Sequence, residues 1–145
     1  MLRRVLTPLP LPSWWMDAVV TLPRFCVGYW LATRFGWSKF PPPEWFVSDV
    51  GKLGFPVPVV FAWAAVMAEV VGGAALAAGL ATRIAGAAIA VTMLVAALVQ
   101  KADASLWEKL PSLGFLWVAL YAIVLGSGRF GLDYLLFTRK TPAST

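Results

Sequence analysis

The sequence predicts an all-α integral membrane protein, a four-helix bundle with short interfacial helices in the first loop and at the C-terminus. Three observations carry the prediction. Of 145 residues, 60% are hydrophobic and only 13% are charged, whereas soluble domains run near half apolar and a quarter charged. A soluble domain this short has no core large enough to hide that much apolar surface. The apolar residues also collect into runs about as long as a bilayer is thick, with the basic residues near their ends as topology and headgroup anchors.

Residues 1–13 carry Arg3 and Arg4, then Pro8, Pro10 and Pro12. The prolines break any continuous apolar helix. The stretch therefore reads as a cytoplasmic N-terminal segment and not as a cleaved signal peptide. A single membrane domain follows over 14–137, with spans at about 14–36, 58–81, 83–100 and 111–127. Residues 138–145 read as a disordered tail. The first span opens with Ser13 as N-cap and the interfacial pair Trp14 and Trp15. Asp17, Pro23, Arg24 and Arg34 make it the least hydrophobic of the four.

In the first loop, Pro41, Pro42 and Pro43 stop any helix. Trp45, Phe46, Val50 and Leu53 then recur at near-helical spacing. That spacing suits a short interfacial helix; an ordinary aromatic-rich loop is the other reading. The second and third spans are separated only by residues 79–83, which forces them to be antiparallel neighbours. Thr82 is placed to cap the third helix. Residues 101–112 are polar and read as the next loop. The amphipathic stretch 130–137 predicts a C-terminal interfacial helix.

Four crossings place both termini on one side. Arg3, Arg4, Arg83, Arg129, Arg139 and Lys140 then face Arg34, Lys39, Lys52, Lys101 and Lys109, six bases against five. The small bias predicts cytoplasmic termini. The formal net charge of +5 is scattered and forms no basic stripe to follow a phosphate backbone, which argues against nucleic acid. Cys26 is the single cysteine, so no internal disulfide forms, and histidine is absent. That removes His-ligated haem, His-containing zinc sites and Ser-His or Cys-His catalysis; no metal site is predicted.

The second and third spans are rich in small residues, including Gly72, Gly73, Gly79 and Gly86. Lipid tails are as apolar as leucine, so helices associate in a bilayer by close backbone approach. These two helices are expected to form the tight centre, with Gly28 contributing from the first. Room for a ligand is the minority reading of the same residues.

Two charges stand out. Arg24 lies about ten residues into the first span and Glu69 about eleven into the second, each roughly 15 Å from its helix start. Each alone would cost about 2.5 kcal/mol or more at the bilayer centre. Opposite charges at matching depth predict an inward-facing pair, the candidate intramembrane polar site. It serves either as a register-fixing ion pair or as a functional site in which Glu69 exchanges a proton and Arg24 holds an anionic or quinone-like oxygen. Secondary polar candidates are Arg83 with Asp133, Thr82, and Lys39, which sits at the far end of the first span and is placed to snorkel.

Arg24, Gly28 and the run Trp37-Ser38-Lys39-Phe40 resemble the opening R-x-x-x-G and G-x-x-K-[LF] pattern of the DoxX family. Trp37 stands where that family often has glycine before the Lys motif. The resemblance continues through Gly54-Phe55-Pro56, Glu69-Val70-Val71-Gly72-Gly73, the run 79–83, Thr92 to Ala96, Gly126-Ser127-Gly128 and Leu132-Asp133. It implies a four-helix protein of the bacterial inner membrane. It further implies the membrane subunit of a quinone-linked redox or stress-response system, with a quinone as candidate ligand and a redox partner subunit or a second copy as candidate partner. A non-enzymatic membrane scaffold is the alternative, and a small-solute carrier a weaker one. Fold likeness alone does not decide among them.

Overall fold

A computed structural model of the chain describes residue 9 and residues 11–137. The tail, the bases Arg3, Arg4, Arg139 and Lys140, and most of the N-terminal segment lie outside the described residues, and so do the expectations placed on them.

Among the described residues every regular element is helical. Helix α1 is Trp14–Trp30, prolonged by a π-helical turn, Leu31–Gly36, and a 3-10 turn, Trp37–Lys39. After the prolines comes α2, Glu44–Lys52, so of the two readings of this loop the helical one describes the chain. The second long helix is α3, Pro58–Met67, a π-helical turn at Ala68–Gly72, and α4, Gly73–Ala78. Helix α5, Thr82–Val95, runs into a third π-helical turn, Ala96–Gln100. Helices α6, Leu106–Leu125, and α7, Leu132–Phe137, complete the order.

Among the described residues three helices are long and apolar enough to cross a membrane: Pro58–Ala78, Thr82–Gln100 and Leu106–Leu125. At most 39% of their most apolar stretches is buried inside the protein. Val60, Val91, Leu98 and Val124 are each 60% or more exposed. In water this would be an apolar surface far beyond what a monomer tolerates, so a lipid bilayer is the medium of these helices. Helix α1, with Asp17, Pro23, Arg24 and then Arg34 in its extension, does not meet the same measure of apolar length.

Three boundaries need correction. The last long helix starts at Leu106, five residues before the expected 111, because the loop's polar residues cap it: the Glu108 carboxylate accepts from the Ser105 N–H at 2.9 Å and from its hydroxyl at 3.1 Å. The second long helix ends at Ala78, not near 81, because Gly79 turns left-handed at φ 69°. Thr82 is the first residue of α5 and does not cap it; Ala81, at φ 45°, holds the capping position. The cap comes from another helix. Asp133, buried on α7, accepts from the Ala81 N–H at 2.7 Å, the Thr82 N–H at 2.9 Å and the Thr82 hydroxyl at 2.9 Å, while its own N–H donates to Gly79 at 2.8 Å.

One carboxylate thus satisfies two orphan amides of a helix start and docks α7 on the turn. Asp133→Ala is expected to lower stability by about 1–2 kcal/mol, the usual cost of a lost N-cap. The check is thermal unfolding in detergent, combined with amide exchange that rises first at residues 81–84.

The core is Leu31, Leu76 and Ile89, all at 0% exposure, with Met93, Ala119 and Ala122. Helices α5 and α6 make the most extensive contact. A close backbone approach joins α1 to α4: a Cβ on Gly28 would lie 2.5 Å from the Ala77 nitrogen and 2.6 Å from the Gly73 carbonyl oxygen. The expected tight centre between the second and third spans is therefore displaced toward the first. Gly72 is roomy, its nearest neighbour 3.5 Å from a built Cβ.

Candidate functional site

Depth within the bundle decides which charges meet. Gly28 opposes Gly73 and Ala77, and Gly36 opposes Glu69 and Val70. Helix α1 therefore slides about a dozen residues past the register that equal helix starts would give. Arg24 lands beside the end of α4, where its guanidinium donates to the carbonyls of Leu76 and Ala77. Those carbonyls belong to the last turn of a helix, the negative end of its dipole, and a cation is their natural partner.

The expected Arg24–Glu69 pair is not formed. Glu69 pairs with Lys39 instead: the ammonium donates to both carboxylate oxygens, at 2.8 and 2.6 Å. Glu69 is buried, and Lys39 is nearly so. The ammonium also lies 5.3 Å from the centre of the Phe46 ring, an added electrostatic attraction. Lys39 does not snorkel to an interface; it turns inward because its helix ends level with the middle of the second long helix.

That early end also makes a cavity. Beyond Gly36 the first helix is gone, and α2 packs across the gap through Phe46 and Val50 against Ala62 and Val66. Alongside lies a cleft of about 620 Å³. Lys39 and Glu69 line it, with Phe46, Phe55 and Phe61, the alanines Ala64, Ala65 and Ala68 of the second helix, and Ala87, Ala88, Val91 and Thr92 of α5. Volumes of this order hold small organic ligands, and apolar walls with few polar groups are their usual lining. Some of the small residues thus divide in two: Gly28 and Gly73 where backbones touch, Ala64, Ala65, Ala68, Ala87 and Ala88 where the cleft is open. Two of the three π-helical turns border it, one carrying Glu69 and the other ending at Gln100.

The other predicted polar residues gather at the opposite end. Asp133 is committed to Ala81 and Thr82, and Arg83 lies next to them in sequence at the start of α5. A pair missed in the sequence lies nearby: Asp17, 1% exposed, meets Nε of Arg129 at 3.0 Å, and Arg129 also donates to the Leu11 carbonyl at 2.9 Å. A lone acid in an apolar helix was the available signal, since such a charge requires a partner. Cys26 is exposed and outside both groups. Among the described residues no cluster of His, Cys, Asp and Glu could hold a metal ion.

The family model for DoxX matches residues 19–102, a stretch that contains α1 from its second turn, α2, the whole second long helix and α5. Lys39, Glu69 and every residue named above as lining the cleft fall inside it. No curated protein and no solved structure matches the chain.

Proposed function

The chain belongs to the DoxX family, and from that premise we propose that it is the membrane subunit of a quinone-linked redox or stress-response system, with the Lys39–Glu69 cleft as its quinone site. The observation that carries this reading is a buried ion pair on the wall of an otherwise apolar, aromatic-lined cleft of about 620 Å³. A quinone ring matches that chemistry in size, in its apolar faces and in needing a donor for a carbonyl oxygen. Lys39 would supply the donor, its charge balanced by Glu69 so that the site stays neutral overall. Phe46, Phe55 and Phe61 would flank the ring and keep water out. A bound quinone would contribute reversible uptake of two electrons and two protons; with no histidine in the chain to ligate a haem, the electrons would come from the quinone itself or from a partner's cofactor.

Helix α1 is proposed as the fourth crossing, in the bacterial inner membrane with both termini cytoplasmic. Its charges support a crossing because they are neutralised internally, Arg24 on helix-end carbonyls and Asp17 on Arg129. The scaffold alternative would dock another subunit on the small-residue helices and the interfacial segments. Gly28, Gly73, Gly79 and Gly86 all meet other parts of this chain, which weakens the first of these two supports.

The test is extraction of quinone from protein purified out of native membranes in mild detergent. Wild type is expected to carry quinone near one per chain, and the Glu69→Gln and Lys39→Gln variants, at equal yield and helicity, about tenfold less. Wild type free of quinone, and unable to take up an added one, would overturn the reading.

A further inference from the structure

We infer that the cleft is a lateral port, open to the lipid and not to water, which takes a ring bearing a long hydrocarbon chain and seats that chain along the Ile84–Ala88 stretch of α5. The inference rests on the proposed quinone site and adds to it the direction and nature of the ligand's tail.

The lining follows one face of α5, at Ile84, Ala87, Ala88, Val91 and Val95, and runs on through its π-helical turn to Gln100. At about 1.5 Å per residue this trough is roughly 24 Å long, most of a bilayer core and far longer than a single ring needs. It opens outward, because Ile84 and Val91 are 55% and 64% exposed on the apolar surface that faces lipid. The two ends differ in chemistry. Asp49 and Gln100 line one, on the side where α2 packs. Ile84, Ala87 and Ala88 line the other, with no charged or amide group on that part of the wall. Glu69 lies between them, since Gly72, one turn further along its helix, packs beside Ile89 and Ala85.

Both directions have apolar walls, Leu53, Phe55 and Phe61 lying toward the Asp49 and Gln100 end, but for a ligand held by its polar ring at Lys39 only the way toward Ile84 carries no charged or amide group among the lining residues. Alanine at 87 and 88 keeps that way clear. A chain lying there gives up contact with lipid and gains contact with protein, so fit and not water release decides its affinity.

The probes are two benzoquinones with the same ring, one with a decyl chain and one with methyl in its place. Their binding to the full chain in nanodiscs is measured, with concentrations corrected for partitioning into protein-free discs. Ala88→Leu, and separately Ala87→Leu, narrow the trough. Each is expected to weaken the decyl compound about tenfold while changing the methyl compound less than about twofold. Glu69→Gln is expected to weaken both. If both compounds bind wild type and the leucine variants leave the decyl compound unchanged, the chain does not lie along α5 and the inference fails while the quinone site stands. If the leucine variants weaken both compounds equally, or unfold, Val91→Phe replaces them, and equal loss there also overturns the inference. If neither compound binds wild type, both readings fall.

Discussion

Lys39→Met is expected to lower the stability of the protein by about 3–5 kcal/mol, the range for breaking a buried ion pair by removing one partner. Glu69, with 7% of its side chain exposed, would be left without its cation in an apolar wall. Glu69→Leu is expected to cost a similar amount by stranding Lys39. The double variant should recover most of the loss, because two apolar side chains of similar length need no desolvation compensation. This pattern, two large single effects and a small combined one, separates an ion pair from two independent packing contributions, which would add. Unfolding in a fixed detergent, followed by helical signal, is the measurement. Single variants within about 0.5 kcal/mol of wild type would mean that water reaches the pair freely, as at an exposed bridge, and the cleft would lose its anchor.

The sequence carried the helices well, since apolar runs bounded by proline, glycine and charge are a local signal. The position of α2 and the extent of the second long helix's small-residue stretch were both legible that way. Which charges meet was not, for a reason that can be located in the backbone. Depth counted from each helix's first apolar residue assumes that antiparallel helices overlap end to end, each starting at its own face of the membrane. Arg24 and Glu69 share a depth only under that assumption. Gly28 against Gly73 and Gly36 against Glu69 set the true register, and contacts between distant glycines leave no mark in either helix's own sequence. Once the register slides, Arg24 finds the carbonyls of Leu76 and Ala77, and Lys39 takes its place beside Glu69. The Asp133 cap on Thr82 escaped for a related reason: the capping group lies 51 residues away in the chain, whereas sequence patterns for caps extend over four residues. The cleft was present in the sequence only as small residues, for which close packing was the favoured reading and room for a ligand the minority one.

The register argument makes its own demand on Gly28. A Cβ there would stand 2.5 Å from the Ala77 nitrogen and 2.6 Å from the Gly73 oxygen, both backbone atoms that no rotamer change can move. Gly28→Ala therefore forces α1 and α4 apart, at an expected cost of about 1–3 kcal/mol for overpacking. The same separation draws Arg24, one turn away and buried, from the Leu76 and Ala77 carbonyls that accept its hydrogen bonds. Gly72→Ala is the matched control: it sits next to Gly73, its built Cβ meets Ile89 at an ordinary 3.5 Å, and replacing a helical glycine by alanine gains about 0.5–1 kcal/mol. The two variants add one methyl group each to the same bundle and are expected to move the unfolding temperature in opposite directions. Equal shifts would show that small size in general, and not the Gly28–Gly73 contact in particular, sets how the first two helices align, and with it which charge reaches Glu69.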